Sequence, residues 1–558
     1  MNLFTKRFLF IKIIILFTAF LIISRLFYLQ IINHSFFINY AKKEYKRKKT
    51  EVMPRGNIRD LNGNILASSI VKWDVVLMKK EFDFNQQTLM DLSQTLDMKI
   101  TDLKKKISKG KNYIKIKKGI EKDVYDKIIN LNIKGIVLEP HQSRIYPSET
   151  ARELIGLANE NEGLTQIELK YDKFLKGNVI KTEIIKDLKG NIIEVTNRIS
   201  DKEPVDIYLT IEEEIQSIAE EIISNFSKEF LTENIIIIVQ NVKNGFITAI
   251  ASHPQNYINF KAIEYTYEPG STFKTIILSA AFEENLLNEK DLIDCENGVW
   301  KPNSKHTITD HEPLKIVTLK EAFAHSSNIG FGKIGLKIGI EKLYPYIKKF
   351  GFDSKYTDFL GESKGILKNF KDYREIDLIT TSYGYGIAVT PLQLISAYTA
   401  IANNGVLIKP FLVYRIGEDR NTEAKREEIR RVISTKTAKR LTNMMVDVVE
   451  NGTGINAQIP GYFIAGKTGT ANKLDLKTRK YIKGENVASF CGFFPASNPE
   501  YTILVIVDNS KKYKYGGQTA APIFAEMAKR IISIKNIKPD REIDYSKIKD
   551  EKKILITN

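Results

Sequence analysis

The 558-residue sequence predicts an α/β (α+β) domain with one antiparallel sheet and helices, preceded by an elongated, mostly β module and one transmembrane helix. Three observations carry this. Residues 8–32 are apolar over a length that spans a bilayer, for which about 20 residues suffice. Residues 45–200 hold two hairpin signals and no catalytic constellation. Beyond 204, apolar strand-like runs flank a helix-rich middle, so one sheet built from both ends is expected.

From Phe8 to Ile23 only Lys12 is charged, and Arg25 follows. No small-residue cleavage site follows the run, so an uncleaved signal-anchor is expected at 8–32, after a short tail at 1–7. Lys6 and Arg7 favour an inside N-terminus, whereas the six basic residues of KKEYKRKK (42–49) argue the opposite way. That run lies in a basic linker, 33–53, beside an apolar segment, which suits an anionic membrane surface.

The module at 54–203 opens with RGNIRDLNGNILASS, which reads as strand, Asn-Gly turn, strand. The phrase D-L-x-G-N-I returns in IIKDLKGNIIEV (184–195), a second hairpin. Residues 85–134 read as helical, with Lys-rich faces. In the domain at 204–535, VDIYLTIEEEIQ gives a strand and a helix opening at Thr210, with Glu213 completing a capping box. NIIIIVQNVKNGFITAIAS gives two strands around a turn. YFIAGKTGTAN, ASFCGFFPASN and YTILVIVDN give three more, and AAPIFAEMAKRIISI an amphipathic helix. The charged tail, 536–558, is expected to be mobile.

The formal charge of +17 is spread along the whole chain rather than gathered in a stripe, which argues against nucleic-acid binding. Two cysteines make no disulfide framework. His306 and His311 in HTITDH read as loop polarity rather than a metal site. Neither a metal nor a cofactor is expected.

The chemistry turns on Ser-x-x-Lys, a pattern that this Lys-rich chain contains four times: Ser69/Lys72, Ser108/Lys111, Ser271/Lys274 and Ser546/Lys549. Only Ser271 opens a helix with a core face, Phe273, Ile276, Ile277, Ala280 and Ala281. Glu-Pro-Gly forces a tight turn before it. Spacing of i,i+3 puts serine and lysine on one face. A serine hydroxyl needs a base, and lysine is one only when neutral. Neutrality costs about 4–5 kcal/mol at pH 7 from the ordinary value, so burial and a neighbouring cation must supply it. Polar partners are therefore expected. Ser326-Ser327-Asn328 interrupts a small-residue helical region. Lys467-Thr468-Gly469-Thr470 breaks into a strand, where an edge would suit a carboxylate-bearing extended peptide.

Taken together and in order, STFK, SSN and KTGT resemble the three motifs of penicillin-binding proteins and serine β-lactamases. EPGSTFK, AHSSN, YGYGIAVTPLQL and ASFCGFFPASNPEY are similar to the class B, monofunctional penicillin-binding proteins. RGNIRDLNGNILA and YPSETARELIG resemble that class's non-catalytic, dimerisation-type pedestal. GFFPASNPEY and GGQTAAPIFAEMAKRI look more like the septal, cell-division member than the elongation one. Two features depart from the pattern: a short segment before Glu-Pro-Gly, and Gln166-Ile167-Glu168 where Gly-Ile-Glu is usual.

The resemblance implies DD-transpeptidation of peptidoglycan stem peptides through an acyl-serine, with release of D-Ala. Ser271 is then the nucleophile, Lys274 the base and Ser326 the proton relay. Asn328 holds the lysine and the substrate amide, and Lys467 is the second cation. Thr468, Gly469 and Thr470 bind substrate, and the N–H groups of Ser271 and Thr470 form the oxyanion hole. β-Lactams would trap Ser271. The catalytic domain would lie outside the bacterial inner (cytoplasmic) membrane, with the N-terminus inside. No glycosyltransferase domain is visible, so a membrane glycosyltransferase of the SEDS type and other division proteins are expected partners. The rival readings are an elongation-type transpeptidase, and a septal scaffold or β-lactam-binding protein with dispensable catalysis.

Overall fold

The computed structural model describes residues 3–51, 54–159, 162–176, 180–186, 192–199, 203–356, 361–475, 478 and 480–542. The chain divides into two compact units, 1–54 with 176–204, and 55–175 with 205–558.

In the first unit, helix Leu3–Phe27 continues through a π-helical turn, Tyr28–Ile32. Arg7–Ile32 is long and apolar enough to cross a membrane, and its large apolar side chains are exposed. A helix that is apolar all round and uncovered by protein suits lipid as its solvent. The stretch expected as a linker carries regular structure instead. Helix His34–Tyr45 runs into strand Lys46–Glu51, which pairs antiparallel with Ile180–Lys186. Ile180–Lys186 pairs in turn with Ile192–Ile199, as the second hairpin signal requires; its turn, 187–191, lies outside the described residues.

In the second unit the first hairpin forms as read. Ile58–Arg59 pairs with Ile65–Met78 across a turn that puts Gly63 in left-handed backbone. Ile65–Met78 also pairs with Tyr113–Ile120 and Ile136–Ile145. The strand Tyr113–Ile120 corrects the helical reading of 85–134. Ile114 and Ile116 point inward there and Lys115 outward, a period of two that the surrounding lysines disguise. Arg55, from the RGN motif, and Arg144 both clasp the buried Glu168, at 2.6 and 2.7 Å. Gln166, the departure from Gly, stands in left-handed backbone at φ +47°, which explains why glycine suits the position.

The catalytic half contains helices α1 (Glu213–Phe230), α2 (Lys274–Glu283), α3 (Asn328–Ile338), α4 (Pro391–Ala402), α5 (Thr435–Asn451) and α6 (Ala520–Lys535). Its strands are β1 (Asn234–Asn241), β2 (Ile247–His253), β3 (Ala465–Asp475), β4 (Lys480–Phe494) and β5 (Tyr501–Asp508). They form one antiparallel sheet in the order β2-β1-β5-β4-β3, with β3 at an edge. Both faces are covered, so the strands read as continuous apolar runs. Ile235, Ile237 and Val239 join the core under α1 and α6. Ile236 and Ile238, one residue out of phase, join the core around α2, α4 and α5.

Three expectations change here. The helix after Thr210 starts at Glu213 and lacks the capping box, because the Thr210 hydroxyl donates to the Ile247 and Phe411 carbonyls instead. Helix α2 is buried on all sides from Lys274 to Phe282, not only along one stripe. The first part of the charged tail is fixed, since Tyr462 donates to the Ile537 carbonyl and Asp540 accepts from Phe463 and Ser497. Residues 543–558 lie outside the described residues.

Candidate active site

Pro269 and Gly270 lead into a 3₁₀ turn, Gly270–Phe273, which runs directly into α2. Gly270 is left-handed at φ +54°, and a Cβ there would come within 2.8 Å of the Thr470 carbonyl oxygen. Glycine thus lets the nucleophile turn lie against the edge strand β3. Gly469 does the same from the other side, where a Cβ would meet Ser489 Oγ at 2.5 Å and the Pro269 carbonyl at 2.8 Å.

The structure brings all three motifs together. Lys274 is fully buried, and its Nζ donates to the Ser326 carbonyl (2.6 Å), Ser326 Oγ (3.2 Å) and Asn328 Oδ1 (2.9 Å). Lys467, equally buried, reaches the same Ser326 Oγ at 3.0 Å, and the Thr468 carbonyl at 3.2 Å. One hydroxyl therefore stands between two buried amines. Phe331 lies under Lys274 and Phe323 under Lys467. The Ser271 hydroxyl is partly exposed and, among the described residues, has no hydrogen bond to Lys274. Free catalytic groups often tighten only when substrate arrives.

Ser326 holds left-handed backbone at φ +62°, which turns its side chain and carbonyl towards the lysines. Ser327 caps α3, its hydroxyl oxygen accepting from Gly330 N–H at 2.9 Å. Asp310 completes that corner. Its carboxylate accepts from Asn328 N–H, Ile329 N–H (3.0 Å) and the Ser327 hydroxyl. Sequence reasoning missed Asp310 by treating HTITDH as loop polarity; no local pattern marks a residue whose partners lie 17–19 positions away. It also missed Thr453, whose hydroxyl meets Thr468 Oγ1 at 2.6 Å, and Gly516, whose N–H donates to Thr470 Oγ1 at 3.1 Å.

Burial lowers Lys274 from its ordinary range to about 7, against the opposing pull of Asp310 and Cys295. Lys467 falls well below its ordinary value, by burial first and then by the Lys274 charge. Two amines that share one hydroxyl resist being charged together, so the site favours a neutral amine beside Ser326 at neutral pH. A neutral amine within reach of a hydroxyl relay is what a serine nucleophile requires.

Comparison with known proteins points to one family. The profile of the penicillin binding protein transpeptidase domain matches residues 235–529, and that of the penicillin-binding protein dimerisation domain matches 50–209. Stage V sporulation protein D of Bacillus subtilis is 31% identical over 96% of this chain and 86% of its own length. Peptidoglycan D,D-transpeptidase FtsI of Buchnera aphidicola subsp. Baizongia pistaciae is 31% identical over 96% of both chains. The fold matches penicillin binding protein 2X from Streptococcus thermophilus with a TM-score of 0.75, at 24% identity, over 88% of this chain and 80% of that one.

Proposed function

The chain belongs to the penicillin-binding protein transpeptidases, among the class B members that carry the dimerisation domain, and we propose that Ser271 is the nucleophile of its peptidoglycan D,D-transpeptidase reaction. The observation that carries this is the buried chain Lys274–Ser326–Lys467, which gives a serine a base that is available near neutrality. Ser271 attacks the carbonyl between the two terminal D-Ala residues of a stem peptide, and its proton passes to Lys274. The developing oxyanion is held by the N–H groups of Ser271 and Thr470. Ser326 relays the proton to the departing D-Ala nitrogen, and Asn328 steadies both Lys274 and the substrate amide. The amine of a neighbouring stem then resolves the acyl-enzyme into a cross-link. β-Lactams stand in for the donor and stop at the acyl stage.

The donor carboxylate goes to Thr468 and Thr470, beside Gly469. Burial lowers both amines in the free site, and the Lys274 charge lowers Lys467 further. A bound carboxylate raises it, so Lys467 becomes the cation as substrate binds and Lys274 is held neutral. Domain limits of 54–203 for the pedestal and 204–535 for the transpeptidase, with an N-terminus-inside anchor at 8–32, suit a site that works outside the inner membrane. The GFFPASNPEY and GGQTAAPIF wording and the FtsI relatives favour septal wall synthesis, beside a SEDS-type glycosyltransferase and other division proteins.

The test uses full-length protein in detergent with a D-Ala-D-Ala-terminated donor and an amine acceptor. D-Ala and cross-linked peptide should appear together, and neither with Ser271→Ala. D-Ala release without cross-linking would make the protein a carboxypeptidase. A fluorescent fusion spread along the lateral wall, rather than at midcell, would overturn the septal role.

A further inference from the structure

The pedestal segment 148–156 meets the catalytic half along a seam stitched by acids. The Ser148 hydroxyl donates to Glu213 Oε1 (2.9 Å) and the Ala151 N–H to Glu220 Oε1 (2.8 Å), both on α1. Glu153 crosses the other way, from the pedestal to the end of β2. The Ser252 hydroxyl lies 2.7 Å from each of its oxygens, and Oε1 also accepts from the Asn256 N–H at 3.0 Å. Glu153 and Ser252 are each only 4% exposed. Two pedestal neighbours complete the grip. The Arg152 guanidinium lies over the Tyr257 ring, 5.3 Å from its centroid, and Gln166 Nε2 donates to the Ile258 carbonyl at 3.4 Å. The pedestal thus holds both ends of 252–258. From there the chain runs through the short helix Lys261–Glu264 to the turn Gly270–Phe273, which carries Ser271.

No cation answers these acids: among the described residues neither Glu153 nor Glu220 has an ion pair. The Arg152 guanidinium donates to the Gly156 carbonyl (2.8 Å) and stands 3.6 Å from Glu149. His253, beside Ser252, is pushed towards its neutral form by burial and by Lys228. Glu220 acts on Glu153, and Glu149 on Glu220, as like charges. A buried carboxylate among like charges is relieved by taking up a proton. Burial, with Glu220 adding to it, raises Glu153 to about 7 against the hydrogen bonds from Ser252 and Asn256. The proton also suits the geometry. A protonated Oε2 donates to Ser252 Oγ, while Oε1 keeps the Asn256 N–H.

We propose that the contact of Glu153 with Ser252 and Asn256 is a proton-operated clasp, tight while Glu153 holds its proton and loosened when the carboxylate ionises. The pedestal's hold on the chain that leads to Ser271 then follows pH. A Glu153 released into water returns to its ordinary value of 4.5, whereas in the clasp it titrates at about 7. The clasp is therefore tightest in acid, weakens as pH rises between those two values, and changes no further above about 7. It is independent of which serine is acylated.

The test is hydrogen exchange of full-length protein in detergent, read by mass spectrometry on peptides covering 252–258. Protection is expressed relative to the unstructured peptide at each pH, which removes the chemical effect of pH on exchange. Each pKa unit that Glu153 recovers on opening is a factor of ten in the opening equilibrium, so wild-type protection should fall about tenfold or more from about pH 5.5 to about pH 8.5. Peptides from β1 and β5 should keep theirs. Glu153→Gln retains a donor for Ser252 and an acceptor for Asn256 without titrating, so its protection over 252–258 should be flat across the same range. Wild-type protection that does not change with pH, a measurement that needs no variant, would overturn the clasp. So would a Glu153→Gln protein that loses protection as wild type does, or a loss shared equally by β1 and β5.

Discussion

A methyl group at residue 384 should disable a serine 113 positions earlier in the chain. Gly384 has φ +86°, and an added Cβ would sit 2.0 Å from the Gly270 carbonyl oxygen and 2.7 Å from Gly270 Cα. The two backbones are also joined by Gly270 N–H donating to the Gly384 carbonyl at 3.1 Å. Ordinary contact begins near 3.4 Å, so Gly384→Ala must push the Gly270 peptide by more than an ångström. Ser271 is the next residue. A displacement of about 1 Å at a reacting group costs on the order of 100-fold in rate. Left-handed alanine adds about 1–2 kcal/mol of strain, which is a stability cost and not a rate cost. Gly339→Ala is the control, because φ there is +78° but a Cβ meets nothing within 4 Å. The assay is the second-order rate of acylation by a fluorescent penicillin, with thermal melts run alongside. Both variants carry the positive-φ strain, Gly384→Ala should lose about 1–3 kcal/mol more for the displaced peptide, and only Gly384→Ala should lose acylation, by about 100-fold. Equal acylation rates for the two variants would refute the close-approach reasoning.

Three further outcomes follow from the same structure. Acylation should rise with pH through a limb near 7, since only neutral Lys274 accepts the proton and its pKa is about 7; a limb near 10 would contradict this. Gln166→Gly should stabilise the protein by about 1 kcal/mol in chemical denaturation, because it removes a left-handed side chain and a buried, unpartnered Oε1. Arg55→Leu should destabilise by about 3 kcal/mol or more, since it leaves the buried Glu168 with Arg144 alone and takes from Asp172 the cation that it pairs with beside Gly163 N–H; a melt equal to wild type would rule that out.

The site was legible where its chemistry is written in adjacent residues. STFK, SSN and KTGT each carry their functional groups within four positions, so order and residue type were enough to assemble them. What escaped was anything carried by long-range backbone approach. Asp310 meets α3 through two N–H groups and a hydroxyl that belong to another segment, and nothing in HTITDH signals this. The Ser271–Lys274 spacing suggested a direct couple; in the free site Lys274 donates to Ser326 and Asn328, contacts that adjacent residues do not signal. The five strands of the main sheet were readable because both faces are buried. Tyr113–Ile120 was not, because its exposed face is lysine and resembles the helices on either side. The first residues of the tail looked solvent-borne from their charge, but Asp540 spends its carboxylate on Phe463 and Ser497.

If Ser271 is the nucleophile, penicillin acylates it, and mass spectrometry of penicillin-treated full-length protein reads the adduct. One penicilloyl adduct should appear, on the peptide containing Ser271, absent from Ser271→Ala and retained by Ser108→Ala and Ser546→Ala. An adduct on any other serine, or one that survives Ser271→Ala, would contradict it.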